Sequence, residues 1–250
     1  MFAPCILIPT YDNPNTVREV VLRVREYLPD VVVIDDGSGP QGREAVASIG
    51  REGLARVFHR EKNGGKGAAV KSGFAFAHEL GFTHALQVDA DGQHALADIP
   101  RFLDIAKSAP EALILGEPEF DESAPIGRRI ARKITVFWTN RETGGRVIHD
   151  PMCGFRVYPV VTALRVANPC GDRMDFDPEI AVRIAWTGAP VLNVPTRVRY
   201  ISRADGGVSH FKLVLDNWLI TRMHSRLMWH RVSCMILGRT LTPSFGSSDS

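Results

Sequence analysis

The chain has 250 residues, 44% of them hydrophobic, and a formal net charge of +2. This length can bury a full core as one large domain, or as one domain with a small appendage. The near-neutral charge argues against a nucleic-acid partner. Four well-separated cysteines without CxxC pairing predict neither a zinc site nor disulfides, and we expect buried thiols in a reducing cytosol. No apolar run approaches the roughly 18–20 residues of a spanning helix, so the chain is not expected to cross a membrane by itself.

Short β-branched runs alternate with helical patterns along the chain. The predicted strands are Cys5–Ile8, Val31–Ile34, Ala55–His59, Ala85–Val88, Leu113–Gly116 and Val191–Pro195. The predicted helices are Thr16–Tyr27, another that follows Gly39 and precedes the strand Ala55–His59, Ala68–Leu80, Ile126–Asn140, Met174–Trp186 and Phe211–Leu237. Alternation at this spacing is typical of βαβ units, so it predicts a Rossmann-like α/β fold with a mostly parallel sheet flanked by helices.

The predicted strand Ala85–Val88 stops at two aspartates, Asp89 and Asp91. On an extended backbone, residues i and i+2 point the same way, so both carboxylates can converge at the strand's carboxyl end. Open α/β sheets bind ligands at that edge. Two hard oxygen ligands with room left for phosphates suit a divalent cation that bridges protein and nucleotide. An ordinary Asp-Gly turn is the open alternative.

Polar residues also follow the other early strands. Asp36 could accept a hydrogen bond from a base N–H, and Lys66, in a glycine-rich turn, could offset phosphate charge. This turn lacks both the P-loop pattern and the dinucleotide-binding glycine pattern. A turn aspartate or a solvated lysine would explain each residue singly. Their joint occurrence at strand ends indicates a nucleotide pocket at the carboxyl edge of the sheet.

Four motifs occur in the order and spacing of family 2 glycosyltransferases. They are Pro9-Thr10-Tyr11-Asp12, Val33-Ile34-Asp35-Asp36-Gly37-Ser38, Asn63-x-Gly-Lys66-Gly67 and Val88-Asp89-Ala90-Asp91-Gly92-Gln93. The resemblance runs from about residue 4 to 210 and implies the GT-A fold and inversion of the sugar's anomeric centre. The third and fourth motifs most resemble the branch that glycosylates polyprenyl phosphates, including the dolichyl-phosphate mannose and glucose synthases.

The resemblance also implies roles for individual residues. Asp89, Asp91 and Gln93 would hold Mg²⁺ or Mn²⁺ on the donor diphosphate, which makes Asp91 a catalytic candidate. The nucleotide would be lined by Pro9, Tyr11, Asp12, Asp36 and Lys66. The Asn-x-Gly-Lys-Gly form favours a UDP-sugar over a GDP-sugar, because it looks closer to the glucose-type relatives.

Two later segments carry further candidates. The predicted helix Ile126–Asn140 has an apolar face and a basic face, which suits either a surface helix packed on the sheet or a helix lying on an anionic membrane. In the polyprenyl-phosphate branch a similar segment precedes Asp-x-x-x-Gly-Phe-Arg, and here Asp150 to Arg156 follows. Arg156 is thus a candidate for stabilising phosphate or an acceptor anion, because its planar fork matches phosphate oxygens.

Asp177 is the candidate general base. Acidic residues in the first turn of the predicted helix Met174–Trp186 are also explained by the helix dipole. In many family 2 enzymes a Glu-Asp pair at this place supplies the base, and Asp177 matches its aspartate. Phe176 stands where the glutamate would be, so the base assignment stays open.

The segment Arg203–His210 resembles the loop that closes over diphosphate in polyprenyl-phosphate transferases, with His210 in place of its lysine. Arg203, Ser209 and His210 could neutralise the departing diphosphate, and an exposed connector is the alternative. In Phe211–Leu237, tryptophans beside basic residues suit a bilayer interface or a cap on the core. We expect a catalytic domain at 1–210, an amphipathic helical segment at 211–240 and a disordered tail at 241–250.

These features together predict a metal-dependent inverting glycosyltransferase that uses a nucleotide-diphosphate sugar. The expected acceptor is a membrane lipid such as polyprenyl phosphate, with the enzyme cytoplasmic and peripheral on the inner face of the membrane. A hydroxyl of another lipid or a soluble acceptor is the alternative within the enzyme class. A non-catalytic nucleotide-sugar-binding protein is the alternative outside it.

Overall fold

A computed structural model describes residues 1–119, 126–145, 147–198 and 212–241, with backbone alone for 126–131 and 213. Its strands form one seven-stranded sheet in the order β3-β2-β1-β4-β6-β5-β7. The strands are β1 (Pro4–Thr10), β2 (Val31–Asp35), β3 (Arg56–His59), β4 (His84–Gln87), β5 (Leu113–Glu119), β6 (Arg156–Pro159) and β7 (Val191–Arg197). The expected α/β class is confirmed, and each predicted strand is present.

Helices connect the strands and cover both faces of the sheet. They are α1 (Val17–Arg25), α2 (Pro40–Arg51), α3 (Lys66–Glu79), α4 (Ile99–Ser108), α5 (Ile126–Thr143), α6 (Val160–Ala167), α7 (Phe176–Trp186) and α8 (Leu213–Leu237). A short 3₁₀ helix, Leu96–Asp98, precedes α4. The six predicted helices all occur, with ends that differ by a few residues.

The sheet separates two hydrophobic cores. Alternate residues of β1 point to opposite faces, so Leu7 belongs to one core and Ile8 to the other. The first core lies under α3, α6, α7 and the inner side of α8, and the second lies under α1, α2 and α4. Because β1 and β2 are buried on both faces, they read as continuous apolar runs rather than alternating ones.

The sheet is mixed, because β6 runs antiparallel between β4 and β5. Tyr158 pairs with Ala85, and Val157 pairs with both Leu86 and Ile114. This strand begins at Arg156, the last residue of the Asp150–Arg156 motif, and Arg156 pairs with Gln87, so the motif lies at the carboxyl end of β4. Neither β6 nor the helices α4 and α6 were expected from the sequence.

Two expectations about the chain's chemistry can be compared with the structure. Cys5, Cys153, Cys170 and Cys234 are free and buried, as expected. Among the described helices, none is long and apolar enough to cross a membrane.

His84, the first residue of β4, is buried between two hydrogen-bond partners. Its Nε2 lies 2.9 Å from the Pro110 carbonyl oxygen and its Nδ1 lies 2.9 Å from Thr83 Oγ1. Burial lowers the pKa of His84 below its ordinary value, despite the raising effect of the Pro110 carbonyl.

The lowered pKa of His84 predicts a pH-dependent stability. His84 takes up a proton more readily in the unfolded chain than in the folded protein. The stability that neutral His84 contributes is therefore complete above about pH 6.5, and it is lost as the pH falls through the lower folded-state pKa. We therefore expect the free energy of unfolding of the wild type to fall more steeply below about pH 6.5 than that of His84→Gln. Urea unfolding across this range measures it, with His78→Gln on the exposed side of α3 as control. If the free energy of unfolding changed with pH in the same way for wild type and His84→Gln, His84 would not be the source of this pH dependence.

Candidate functional site

Parallel strand pairing brings three strand ends to one edge of the sheet. β1 lies between β2 and β4, with Thr10 opposite Asp35 and Leu7 opposite Gln87. The residues that follow β1, β2 and β4 therefore gather at a common carboxyl edge, where the sequence predicts a nucleotide pocket.

The ammonium group of Lys66 lies at the centre of this edge. Its Nζ is 2.9 Å from Asp89 Oδ1 and 2.9 Å from Asp177 Oδ2, so one cation joins the end of β4 to the first turn of α7. The Lys66 side chain is only 17% exposed. Burial alone would lower the pKa of Lys66, but Asp177 and Asp89 outweigh it and raise that pKa. Lys66 is therefore charged, and it holds two carboxylates that come from distant parts of the sequence.

Asp36 fixes the turn that precedes Lys66. Its buried carboxylate accepts hydrogen bonds from the backbone N–H groups of Gly64 (3.0 Å) and Gly65 (2.7 Å) and pairs with the Arg60 guanidinium. Gly65 has a φ of 103°, and a Cβ there would lie 2.6 Å from a backbone oxygen of the 171–176 segment. Only glycine fits this position, because it combines positive φ with close backbone approach. Asp36 thus positions the start of α3, while the expected contact with a base remains a prediction.

The Asp89 carboxylate is enclosed on several sides. Gln87 Nε2 donates to it at 3.4 Å and His94 Nε2 lies 3.5 Å away. A Cβ at Gly154 would come within 2.2 Å of Asp89 Oδ2, so only a glycine leaves room for this carboxylate. Burial would raise the pKa of Asp89, but the Lys66 ammonium and His94 outweigh it and lower that pKa. Asp89 is therefore ionised and held in one position.

Asp91 lies close enough to Asp89 to sense its charge. β4 ends at Gln87 and residues 90–91 form a turn, so the two aspartates meet around this turn rather than by the alternation of a strand. Burial first, and then the charge of Asp89, raises the pKa of Asp91. Gln93 donates its backbone N–H to Asp91 Oδ1 at 3.0 Å.

These two carboxylates have the chemistry of a divalent-cation site. Among the described residues, no group of three or more His, Cys, Asp or Glu side chains is arranged to hold a metal ion. Asp89 and Asp91 are nevertheless two hard oxygen donors crowded together, and their mutual repulsion is what a bound cation would relieve. The pair fits Mg²⁺ or Mn²⁺ if the remaining ligands come from a diphosphate and water.

The loop between Asp150 and Arg156 places Gly154 against Asp89. Asp150 Oδ1 accepts the backbone N–H groups of Met152 (2.8 Å) and Cys153 (2.9 Å), which closes a tight turn. Its Oδ2 lies 2.7 Å from Arg132 Nε on α5. The Asp150–Arg156 motif therefore forms the side of the site that lies against Asp89.

Arg156 does not have the place that the sequence predicted. It is fully buried, and its guanidinium donates to three backbone carbonyls, those of Cys153, Pro151 and Asp177. The bond to the Asp177 carbonyl measures 2.6 Å. The expectation that Arg156 contacts a phosphate or acceptor anion is corrected, because its donors are turned towards the core. It connects the Asp150 loop to the first turn of α7.

The other predicted nucleotide residues lie around the end of β1. Pro9 is buried in β1, and Asp12 follows that strand with a φ of 48°. Asp12 Oδ1 accepts the backbone N–H of Gly39 at 2.8 Å, and the Asp12 N–H donates to Ser38 Oγ at 2.9 Å. Asp12 thus ties the loop after β1 to the loop after β2, and Tyr11 precedes it. Arg203, Ser209 and His210 lie outside the described residues.

The structure adds groups that the sequence did not single out. His94, Gln87 and Gly154 surround Asp89, and Arg60 pairs with Asp36. Gly154 is the glycine of the Asp150–Arg156 motif and His94 directly follows the motif that ends at Gln93, so a local signal was available for both. The pairing of Lys66 with Asp177 joins residues 111 positions apart and has no local signal.

A comparison with protein families identifies the chain. The sequence model of Glycosyl transferase family 2 matches residues 5–160. This range includes every described site residue discussed above except Asp177.

Two characterised relatives share most of the chain. Polyprenol monophosphomannose synthase of Mycolicibacterium smegmatis is 33% identical over 204 residues, which cover 76% of this chain and 75% of that protein. Undecaprenyl-phosphate mannosyltransferase of Micrococcus luteus is 27% identical over 210 residues, which cover 80% of this chain and 84% of that protein.

A solved structure confirms the fold. Glucosyl-3-phosphoglycerate synthase from Mycobacterium tuberculosis, crystallised with Mn²⁺, UDP and glucosyl-3-phosphoglycerate, superposes with a TM-score of 0.64 at 15% identity. The match covers 98% of this chain and 82% of that one, so the architecture is GT-A. The chain therefore belongs to glycosyltransferase family 2, in the polyprenyl- and dolichyl-phosphate branch, and is a glycosyltransferase.

Proposed function

We propose that this enzyme transfers a sugar from a nucleoside-diphosphate donor, preferably a UDP-sugar, to a polyprenyl phosphate, with inversion at the anomeric carbon. The named activities of the two relatives support a lipid-phosphate acceptor. The observation that carries the proposal is the bridge of Lys66 between Asp89 and Asp177. The bridge puts Asp89, whose carboxylate suits a metal–diphosphate group, beside Asp177, which is expected to face the acceptor.

The donor side is built from Asp89, Asp91 and Lys66. A divalent cation held by the two aspartates and Gln93 would stabilise the negative charge that develops on the departing diphosphate. Lys66 supplies a second positive charge at the same edge of the sheet, and Asp36 keeps it there by holding its turn. Pro9, Tyr11 and Asp12 would contact the nucleotide from the end of β1. Arg203, Ser209 and His210 are proposed to offset diphosphate charge.

The surroundings of Asp177 favour an acceptor oxygen that is already ionised. Asp177 is 4% exposed, and one of its carboxylate oxygens is held by the Lys66 ammonium. The ammonium group of Lys66 already occupies this oxygen, so it is not available to take a proton from an acceptor hydroxyl. A phosphate acceptor does not need a strong base, because it carries negative charge near neutral pH. Its oxygen would attack the anomeric carbon from the side opposite the diphosphate.

One contact favours a second candidate, transfer to a hydroxyl group. Asp177 Oδ1 is buried and has no hydrogen-bond partner among the described residues. Such an oxygen could take the proton of an acceptor hydroxyl, on another lipid or on a soluble molecule. In that case Asp177 would be a true general base.

We also propose that the enzyme works as a peripheral protein on the cytoplasmic face of a membrane. A polyprenyl acceptor resides in the bilayer. The helices α5 and α8 carry exposed apolar side chains together with basic ones, which supports this proposal.

Asp91→Asn tests the metal and donor assignment. We expect at least a roughly 10³-fold loss of nucleoside diphosphate release, because the amide cannot supply the charge that holds the cation. Chelation should abolish wild-type turnover, and Mn²⁺ or Mg²⁺ should restore it. Asp104→Asn, on the exposed side of α4, is the matched control and should keep full activity. A fully active Asp91→Asn enzyme, or wild-type turnover that survives chelation, would refute the assignment.

Asp177→Asn distinguishes the two kinds of acceptor. With a phosphate acceptor, we expect kcat to fall by no more than about tenfold and the pH profile of kcat to keep its shape, because no proton is removed. A loss of about 10²–10⁴-fold, together with loss of the acidic limb of the pH profile, would instead identify Asp177 as a general base. Thermal unfolding of the variant separates this effect from loss of the Lys66 ion pair.

A further inference from the structure

The Lys66 ammonium contacts both oxygens of the Asp89 carboxylate. Its Nζ lies 2.9 Å from Asp89 Oδ1 and 3.1 Å from Asp89 Oδ2. A third oxygen, Asp177 Oδ2, lies 2.9 Å from the same nitrogen. An ammonium group has three N–H donors, so these three oxygens match all of them. Lys66 is therefore the counter-ion of Asp89 as well as its link to Asp177.

The other sides of Asp89 are closed by groups that have little freedom to move. Gln87 Nε2 lies 3.4 Å from Oδ1, and His94 Nε2 lies 3.5 Å from Oδ2. Both of these side chains are buried, and Gly154 lies against the carboxylate as well. Among these neighbours, Lys66 has the longest and most flexible stem. The side of Asp89 that can open is therefore the one that Lys66 covers.

The proposed metal site needs the same oxygens. A divalent cation held by Asp89 and Asp91 would use lone pairs of Asp89 that now accept the Lys66 ammonium. It would also bring two positive charges close to a third in a poorly solvated place, where like charges repel strongly. Lys66 and the cation therefore exclude each other from Asp89.

We infer that Lys66 competes with the divalent cation for Asp89, and that the donor diphosphate ends this competition by accepting the ammonium. The metal alone then binds weakly, and metal and diphosphate bind cooperatively. The backbone of Lys66 can stay where Asp36 holds its turn, because the four-carbon stem is flexible enough to move the ammonium. Asp177 remains a partner of Lys66 throughout. This inference rests on the donor site of the proposed function and adds a coupling between its two ligands.

The first test measures Mn²⁺ binding to the full chain without nucleotide, by electron paramagnetic resonance of the free ion. Lys66→Met keeps a side chain of similar length without the charge. We expect its dissociation constant for Mn²⁺ to be at least about tenfold lower than that of wild type, because Asp89 is released. Lys71→Met is the matched control. Lys71 lies on the same helix, where Asp172 and the Cys170 carbonyl bind it, so this change should leave Mn²⁺ binding unaltered.

Adding UDP as the diphosphate probe measures the coupling. In wild type, UDP should tighten Mn²⁺ binding, and Mn²⁺ should tighten UDP binding by the same factor. In Lys66→Met this factor should be at least about tenfold smaller, because Asp89 is already free for Mn²⁺ before UDP binds.

A second measurement does not depend on the folding of Lys66→Met. In wild type labelled with ¹⁵N-lysine, the Nζ signal of Lys66 is identified by its loss in the charge-conserving variant Lys66→Arg. We expect this signal to keep its chemical shift when Mg²⁺ alone is added at a concentration that saturates the site in the presence of UDP. It should move when Mg²⁺ and UDP are added together. An unchanged signal with both ligands bound would show that Lys66 never leaves Asp89, and would overturn the inference.

The binding experiments separate this inference from the proposed function. Equal Mn²⁺ affinity of wild type and folded Lys66→Met would overturn the competition, and so would an equal gain in Lys71→Met, because net charge alone would then explain it. If those proteins still bind Mn²⁺ together with UDP, the proposed donor site stands and only the competition fails. If Mn²⁺ binds neither wild type nor Lys66→Met, with or without UDP, the metal assignment of the proposed function fails together with this inference.

Discussion

The site depends on one largely buried cation between two carboxylates. Lys66 contacts Asp89 and Asp177 at the same distance, and removing its charge would leave two acidic groups facing each other in a poorly solvated place. Its position is determined from both sides: Asp36 holds the turn before it, and the 171–176 segment packs against Gly65. Because the Lys66 ammonium has lost most of its hydration, it has to be held by partners of opposite charge. We propose that the same cation also contacts the donor diphosphate.

The elements around Lys66 link the two ends of the proposed reaction. Arg132 of α5 pairs with Asp150, whose turn sets Gly154 against Asp89. The helix that carries exposed aromatic and basic side chains thus contacts the loop that shapes the proposed metal site. On the other side, α8 reaches the turn of Lys66 through Asp216 and Arg173. Both helices proposed to meet the membrane are packed against the catalytic edge.

Much of this arrangement could be predicted from local sequence. Apolar runs that stop at Asp36 and Asp89 located the strand ends, and parallel pairing follows from the alternation of strands and helices. The antiparallel strand Arg156–Pro159 escaped prediction because four residues carry no period, and its pairing is set by distant strands. Arg156 was misjudged for a related reason. Its residue type indicates phosphate binding, but its partners are carbonyls that only the folded loop brings together.

The most direct test of the central claim compares two acceptors with the same polyprenyl chain, one ending in a phosphate and the other in a hydroxyl group. Polyprenyl phosphate and the corresponding polyprenol would each be incubated with the enzyme, Mn²⁺ or Mg²⁺ and a panel of labelled UDP- and GDP-sugars. The account predicts metal-dependent transfer of one sugar to polyprenyl phosphate, with release of the nucleoside diphosphate and no product on polyprenol. Transfer to polyprenol while the phosphate stays unmodified would contradict it, and would make Asp177 the base of a hydroxyl-directed enzyme.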